Sequence, residues 1–291
     1  MKTQLSQQPL PASLLWSRHA ERQAARLSAL AVRSLLEEAR LSPKPGLVDS
    51  RGAGAHHDLD LALMERSAHS LQPTFYRLAL HSWLRPADAA LRQEIGRQGR
   101  LGEQHMLAAT GGVNTHRGAI WALGLLVSAC AMLGGTGPVA MITGGAARLA
   151  ALQDTFSPRG FSKGQRAVQR YRVPGAREEA VCGFPHITQR ALPQLRQSRG
   201  EGASEPQARL DALMAIMCTL TDTCVLNRGG MPALTAMHRG AAAVLAAGGT
   251  GRPAGRDALA DLDRRMLRDN ASPGGAADLL AATFFLDWVS A

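Results

Sequence analysis

Three short stretches place charged or imidazole side chains among glycines and prolines. In Pro43-Lys44-Pro45-Gly46-Leu47-Val48-Asp49, two prolines fix the backbone on both sides of one lysine. A stiff loop holding a single ammonium group can grip a phosphate. A proline-rich helix stop with a solvated lysine has the same composition, and spacing alone favours that plainer reading. Gly54-Ala55-His56-His57-Asp58-Leu59-Asp60 sets two carboxylates two residues apart behind two histidines. Such a pair can supply oxygen ligands to Mg²⁺ with bridging water, or an aspartate can cap a helix start. Capping accounts for one aspartate and leaves the histidine pair unexplained. Gly111-Gly112-Val113-Asn114-Thr115-His116-Arg117-Gly118 opens a strongly apolar run. Asn114 or Thr115 suits the cap of that helix, whose free N–H groups and positive dipole end suit a phosphate. His116 and Arg117 add donors that capping does not require.

Further along, Thr221-Asp222-Thr223 is expected to close a buried helix over Leu210 to Leu226, with Arg228-Gly229-Gly230 after it. A carboxylate there needs an arginine or a metal as partner, and an internal Asp222–Arg228 ion pair is the plain account. Ser272-Pro273-Gly274-Gly275 before Ala276-Ala277-Asp278 is another glycine-rich helix entry. Glu103, on the apolar side near Met106 and Leu107, is a candidate buried acid, although a lone glutamate more often faces water at a helix boundary. Each signal is weak alone. Together they suit a Mg²⁺–polyphosphate nucleotide, without any P-loop or Rossmann fingerprint.

The elements that must position these residues are helical. Ala, Leu and Arg dominate and aromatics are 4% of the 291 residues, a composition that favours helices over strands. Apolar residues recur at Leu27, Leu30, Ala31, Leu35 and Ala39, so a helix is expected over 20–41, stopped by Ser42-Pro43. Others are expected from Asp58 towards Leu71, where Pro73 interrupts, and over 75–84, 87–109, 116–133, 145–153, 231–247, 257–269 and 275–289. Residues 154–185 are expected to be a long loop or a partly helical lid. The fold class is all-α. One compact multi-helix domain over 19–291 follows a flexible segment at 1–18, with glycine-rich loops at helix N-termini forming a nucleotide cleft.

The formal charge of +10 suits polyanionic partners, but the basic residues are scattered rather than clustered. That argues against nucleic acid and membrane surfaces. The four cysteines form no C-x-x-C pair and read as reduced thiols, and the longest apolar run falls short of a membrane span. A soluble cytoplasmic protein is expected.

Taken in order, these stretches resemble the triphosphoribosyl-dephospho-coenzyme A synthase family, which serves citrate lyase and malonate decarboxylase. The resemblance runs from Glu38 through the Pro-Lys-Pro-Gly loop, Gly54-Ala55-His56, Asp58-Leu59-Asp60, Glu103 and Gly112 to His116. It continues through Asp222-Thr223 and Arg228-Gly229-Gly230 to Ser272–Leu280. Arg117 stands where the family commonly has lysine, and Cys224 and Asn227 where it often has asparagine and histidine, which puts direct roles at those two in doubt. Stand-alone length and Arg/Ala-rich composition look more like the malonate decarboxylase branch.

The resemblance implies that ATP donates triphosphoribose to the ribose 2′-hydroxyl of 3′-dephospho-coenzyme A, releasing adenine. It implies Mg²⁺ on Asp58, Asp60 and Asp222, and a catalytic carboxylate among Glu38, Glu103 and Asp222. Substrate contacts would come from Lys44, Pro45, Gly46, His56, Asn114, Thr115, His116, Arg117, Arg228, Gly229, Gly274 and Gly275. The product would pass to a separate transferase for an acyl carrier protein, and a homodimer is one assembly left open. Two rival readings stand beside this one: a helical metal-dependent phosphohydrolase, suggested by His57-Asp58, and a basic nucleic-acid binder.

Overall fold

The computed structural model describes residues 12–157 and 162–290. The helical runs become α1 (Ala12–Arg40), α2 (Leu61–Ser70), α3 (Gln72–Ser82), α4 (Ala89–Ala109), α5 (Arg117–Met132), α6 (Val139–Ala151) and α7 (Lys163–Tyr171). After α8 (Ala176–Val181) and a π-helical turn at His186–Ala191 come α9 (Leu192–Gly200), α10 (Glu205–Met217), α11 (Thr223–Ala246), α12 (Pro253–Arg268) and α13 (Gly274–Val289). No β-strand occurs among the described residues, and no helix there is long and apolar enough to cross a membrane. Of the segment expected to be flexible, residues 1–11 lie outside the described residues, and 12–18 form the start of α1.

Helix α5 is the axis of the core. It is buried from Ala119 to Ala131 with the exception of Trp121, because its sequence is apolar on every face. Helices α1, α3, α4, α6 and α13 pack around it, and one hydrophobic cluster runs through the fold. Helix starts follow capping chemistry: the Asp60 carboxylate accepts from Leu63 N–H and Asp88 from Leu91 N–H, both at 2.7 Å.

Two expectations need correction. Pro73 lies in the first turn of α3 and so begins a helix rather than interrupting one, because a first-turn proline lacks only an N–H that would have no partner. The single helix expected over 210–226 is two. Helix α10 ends at Met217, and Asp222 starts α11 instead of closing its predecessor. An Asp flanked by threonines is a cap signal, and the apolar residues on both sides hid it. Residues 154–185 are partly helical, as one of the two expectations has it, with α7 and α8 inside them; the π-helical turn and α9 fall in a stretch the periodicity leaves blank. Within α11 the chain leaves helical geometry at Gly230 (φ 66°, ψ −165°), so the element bends there.

Candidate active site

Asp222 joins two helices. Its Oδ1 accepts from the backbone N–H groups of Cys224 (2.8 Å) and Val225 (3.3 Å), capping α11. Its Oδ2 accepts from Ala276 N–H at 2.9 Å, in the first turn of α13. Gly275 permits the approach, since a Cβ there would stand 3.0 Å from Oδ2. One turn along α13, Asp278 meets α5. A Cβ on Gly118 would lie 2.0 Å from its Oδ2, and Ala119 N–H is a hydrogen-bond donor to the same carboxyl. The N-termini of α5, α11 and α13 therefore converge on two carboxylates, and their positive dipole ends make the junction attractive to anions. Burial first, then the neighbouring Glu38 and Asp222, push Asp278 well above the usual carboxylate range. Burial also raises Asp222, against the pull of its backbone donors.

Lys44 lies inside this junction rather than on an open loop. Its side chain is 1% exposed, and Nζ donates to the Glu38 carboxylate at 2.5 Å and to the Glu38 carbonyl at 2.6 Å. The loop is pinned from outside. Asp49 accepts from Lys44 N–H and from Arg51, whose guanidinium bridges on to Asp263, and Asp263 accepts from Gly46 N–H. Gly46 has φ 67°, and a Cβ there would come within 2.4 Å of the Ala271 carbonyl, so the residue after Pro45 must be glycine. The plainer expectation of a solvated lysine needs correction: the ammonium is buried and paired with Glu38.

His116 is likewise inside. It is 2% exposed at the head of α5, where its N–H meets Met106 Sδ and its Nδ1 lies 2.7 Å from Ser67 Oγ. Burial, then the nearby Lys44 ammonium, lower it to about 4. At that value the ring is neutral at neutral pH, so any hold on phosphate would come from hydrogen bonding rather than charge. Thr115 faces the same serine, with Oγ1 at 2.5 Å from Ser67 Oγ, and Asn114 accepts from Arg117 N–H at 3.3 Å.

A second group abuts the junction through Ser272. Arg228 donates to the Ala55 carbonyl (2.7 Å), Asn270 (3.2 Å) and His56 Nδ1 (2.9 Å), while His56 Nε2–H donates to Ser272 Oγ at 2.8 Å. Burial and the Arg228 charge lower His56 to about 4. The plain Asp222–Arg228 ion pair does not form: Asp222 is committed to backbone donors, and no carboxylate among the described residues neutralises Arg228. Gly229 packs at this end of α11, where a Cβ would lie 3.2 Å from the Asp269 carbonyl.

The remaining expected residues scatter. Glu103 is half-buried rather than buried, and it accepts from Arg117 at 2.9 Å on the rim. Gly111 and Gly112 close α4 with φ of 62° and 92°, and Gly112 N–H donates to the Leu107 carbonyl at 2.8 Å. Gly274 and Gly275 form the first turn of α13. Asp58 is exposed, and Asp60 is engaged as the cap of α2. Among the described residues no three His, Cys, Asp or Glu side chains form a metal-binding group, and both oxygens of Asp222 already accept from backbone. The expected Asp58–Asp60–Asp222 metal set therefore does not assemble, and the ligand cluster that a helical phosphohydrolase needs is missing among the same residues. Ser67 and Asp278 were given no role in the sequence. Ser67 carries no signal there; Asp278 does, as an acid one turn past paired glycines.

Comparison with known proteins gives the family. The family model described as CitG, ATP:dephospho-CoA triphosphoribosyl transferase, matches residues 24–291. A 2-(5''-triphosphoribosyl)-3'-dephosphocoenzyme-A synthase from Klebsiella pneumoniae is 68% identical over 272 residues, covering 94% of this chain and 97% of that protein. A protein from Azotobacter vinelandii named "Probable 2-(5''-triphosphoribosyl)-3'-dephosphocoenzyme-A synthase" is 56% identical, covering 91% of each chain. A solved structure from Archaeoglobus fulgidus, itself a proposed triphosphoribosyl-dephospho-CoA synthase, shares the fold with a TM-score of 0.52. It is 18% identical and covers 77% of this chain and 97% of its own.

Proposed function

The chain belongs to the CitG family of ATP:dephospho-CoA triphosphoribosyl transferases, and we propose that the junction of α5, α11 and α13 is where it performs the transfer. The convergence of three helix N-termini on Asp222 and Asp278 carries this reading. The ribose 2′-oxygen of 3′-dephospho-coenzyme A bonds to C1′ of ATP as the bond from C1′ to adenine N9 breaks. The electron pair leaves with adenine, and the 2′-hydroxyl proton balances the one adenine takes up. Positive charge develops on the ribose as in glycoside cleavage.

Among the chain's own residues, Asp278, whose carboxyl burial and the neighbouring Glu38 and Asp222 hold well above the usual carboxylate range, is the candidate proton donor to adenine. Arg228, its charge unmet by any described carboxylate, serves the phosphates. Glu38 fixes Lys44, and Glu103 fixes Arg117 at the rim. Mg²⁺ enters on the triphosphate as part of the substrate, since the described carboxylates do not form a resident site. The net charge of +10 favours both polyanions. The product goes to a separate transferase serving malonate decarboxylase rather than citrate lyase, a preference supported by the Arg/Ala-rich composition, and the setting is the cytoplasm.

Incubation with Mg-ATP and 3′-dephospho-coenzyme A should release adenine together with a heavier coenzyme product. Release of phosphate without adenine would overturn the transfer. Gly118→Ala drives a methyl into Asp278 Oδ2, so turnover should fall about tenfold or more, as an ångström-scale misplacement in a site commonly does. Helix propensity partly offsets the clash in stability, so thermal unfolding should move less than turnover does.

A further inference from the structure

His116 Nε2 is buried and has no hydrogen-bond partner among the described residues, although its other nitrogen is held by Ser67. Native folds leave few buried polar side-chain atoms unpaired, and a catalytic role is one reason for such an atom; His116 Nε2 is the one among them here on a ring nitrogen whose twin is held by a side chain. The serine is equally specific. It sits buried on α2, 49 residues from the histidine in sequence, and its Oγ touches both Nδ1 and Thr115 Oγ1. Two proton arrangements fit that chain. In one, Thr115 donates to Ser67 and Ser67 to Nδ1, which leaves an orphaned Nε2–H in the interior. In the other, Nδ1–H donates to Ser67 and Ser67 donates to Thr115, which leaves a lone pair at Nε2. Burying an unpaired donor is the rarer situation. The positive charge beside the ring, Lys44, also favours a lone pair over an N–H. Thr115, partly exposed, can pass its own proton to water.

We infer that Ser67 is a positioning residue that locks His116 in its Nδ1–H tautomer, so that Nε2 presents a lone pair to accept the proton of the acceptor nucleotide's 2′-hydroxyl. This rests on the transfer reading above. The proton moves from the 2′-oxygen to Nε2 as that oxygen bonds to C1′ of the triphosphoribosyl group and adenine leaves with the C–N electron pair. The imidazolium then returns its proton to solvent, and no further reactant is required. Two of the carboxylates expected to be the base, Glu38 and Glu103, are in ion pairs with Lys44 and Arg117, whereas Nε2 is unengaged. The arrangement matches a general base oriented by a hydrogen bond at its other ring nitrogen.

Nitrogen-15 NMR of histidine-labelled enzyme without substrate reads the tautomer directly. The Nδ1–H form is expected for His116 in the unmodified chain, assigned by its loss in His116→Gln, and a mixture of tautomers in Ser67→Ala. Ser67→Ala should lower kcat about tenfold with KM for both substrates within about twofold, and Ser67→Thr should restore kcat. Finding the Nε2–H tautomer in the unmodified enzyme, or unchanged kcat in Ser67→Ala, would overturn the inference. Should Ser67→Ala fail to fold, the tautomer of the unmodified chain still decides. A chain that releases no adenine sinks the transfer reading instead, while the NMR result stands independently of it.

Discussion

Lys44→Met should lower stability by about 3–5 kcal/mol, the usual cost of leaving one partner of a buried ion pair alone. The lysine reaches Glu38 at 2.5 Å with the two side chains 1% and 4% exposed, so water cannot replace the lost ammonium. Glu38 would then sit uncompensated near Asp278, which already carries the burden of neighbouring carboxylates. Urea unfolding of the unmodified chain, Lys44→Met, Glu38→Leu and the double variant measures the coupling. The double variant should be more stable than Lys44→Met, because removing both charges removes the uncompensated one. A lysine that merely gripped phosphate from the surface would give the opposite pattern: unchanged unfolding in Lys44→Met, a raised KM for ATP, and no rescue by Glu38→Leu. Lys44→Arg would not substitute cleanly, since a planar guanidinium cannot donate to the Glu38 carboxylate and carbonyl as a compact ammonium does.

Much of this architecture was legible in the residues. The all-α class followed from composition and period, and most helices lie within a few residues of their expected spans because Asp60, Asp88 and Pro43 mark ends by local chemistry. The break before α11 is masked in the sequence because Leu220 and Val225 continue the apolar pattern across it, so only Asp222 among threonines marks the cap. At the site, sequence order brought Glu38, Lys44, His116 and Asp222 under suspicion together, and the fold does place them around one junction. Which of them keep a usable charge was not legible. Residue type says that Lys44 is a cation and His116 a donor, but their partners lie six and 49 positions away. Glu103 shows the reverse case. Apolar neighbours at Met106 and Leu107 suggested burial, yet the helix turns Glu103 towards Arg117 at the rim.

Asp222→Ala should be the most damaging single change on α11, because two helix ends depend on one side chain. Losing the cap of α11 costs about 1–2 kcal/mol. The Ala276 N–H, buried in the first turn of α13, would be orphaned as well, adding about 1–3 kcal/mol. Asp222→Asn separates geometry from charge. Its one oxygen can still cap α11 through Cys224 and Val225, but its NH₂ faces Ala276 N–H, donor against donor. The asparagine variant should therefore keep part of the stability lost in Asp222→Ala while still separating α13 from α11. Since α13 carries Asp278 to Gly118, that separation should abolish adenine release in both variants. Amide hydrogen exchange can follow it, with faster exchange expected at Ala276 and along the first turn of α13 while the core of α5 stays protected. If Asp222 were a metal ligand, Asp222→Asn would show near-native exchange at α13 and an activity partly recovered at high Mg²⁺. If it is the joint between two helices, added Mg²⁺ will recover nothing.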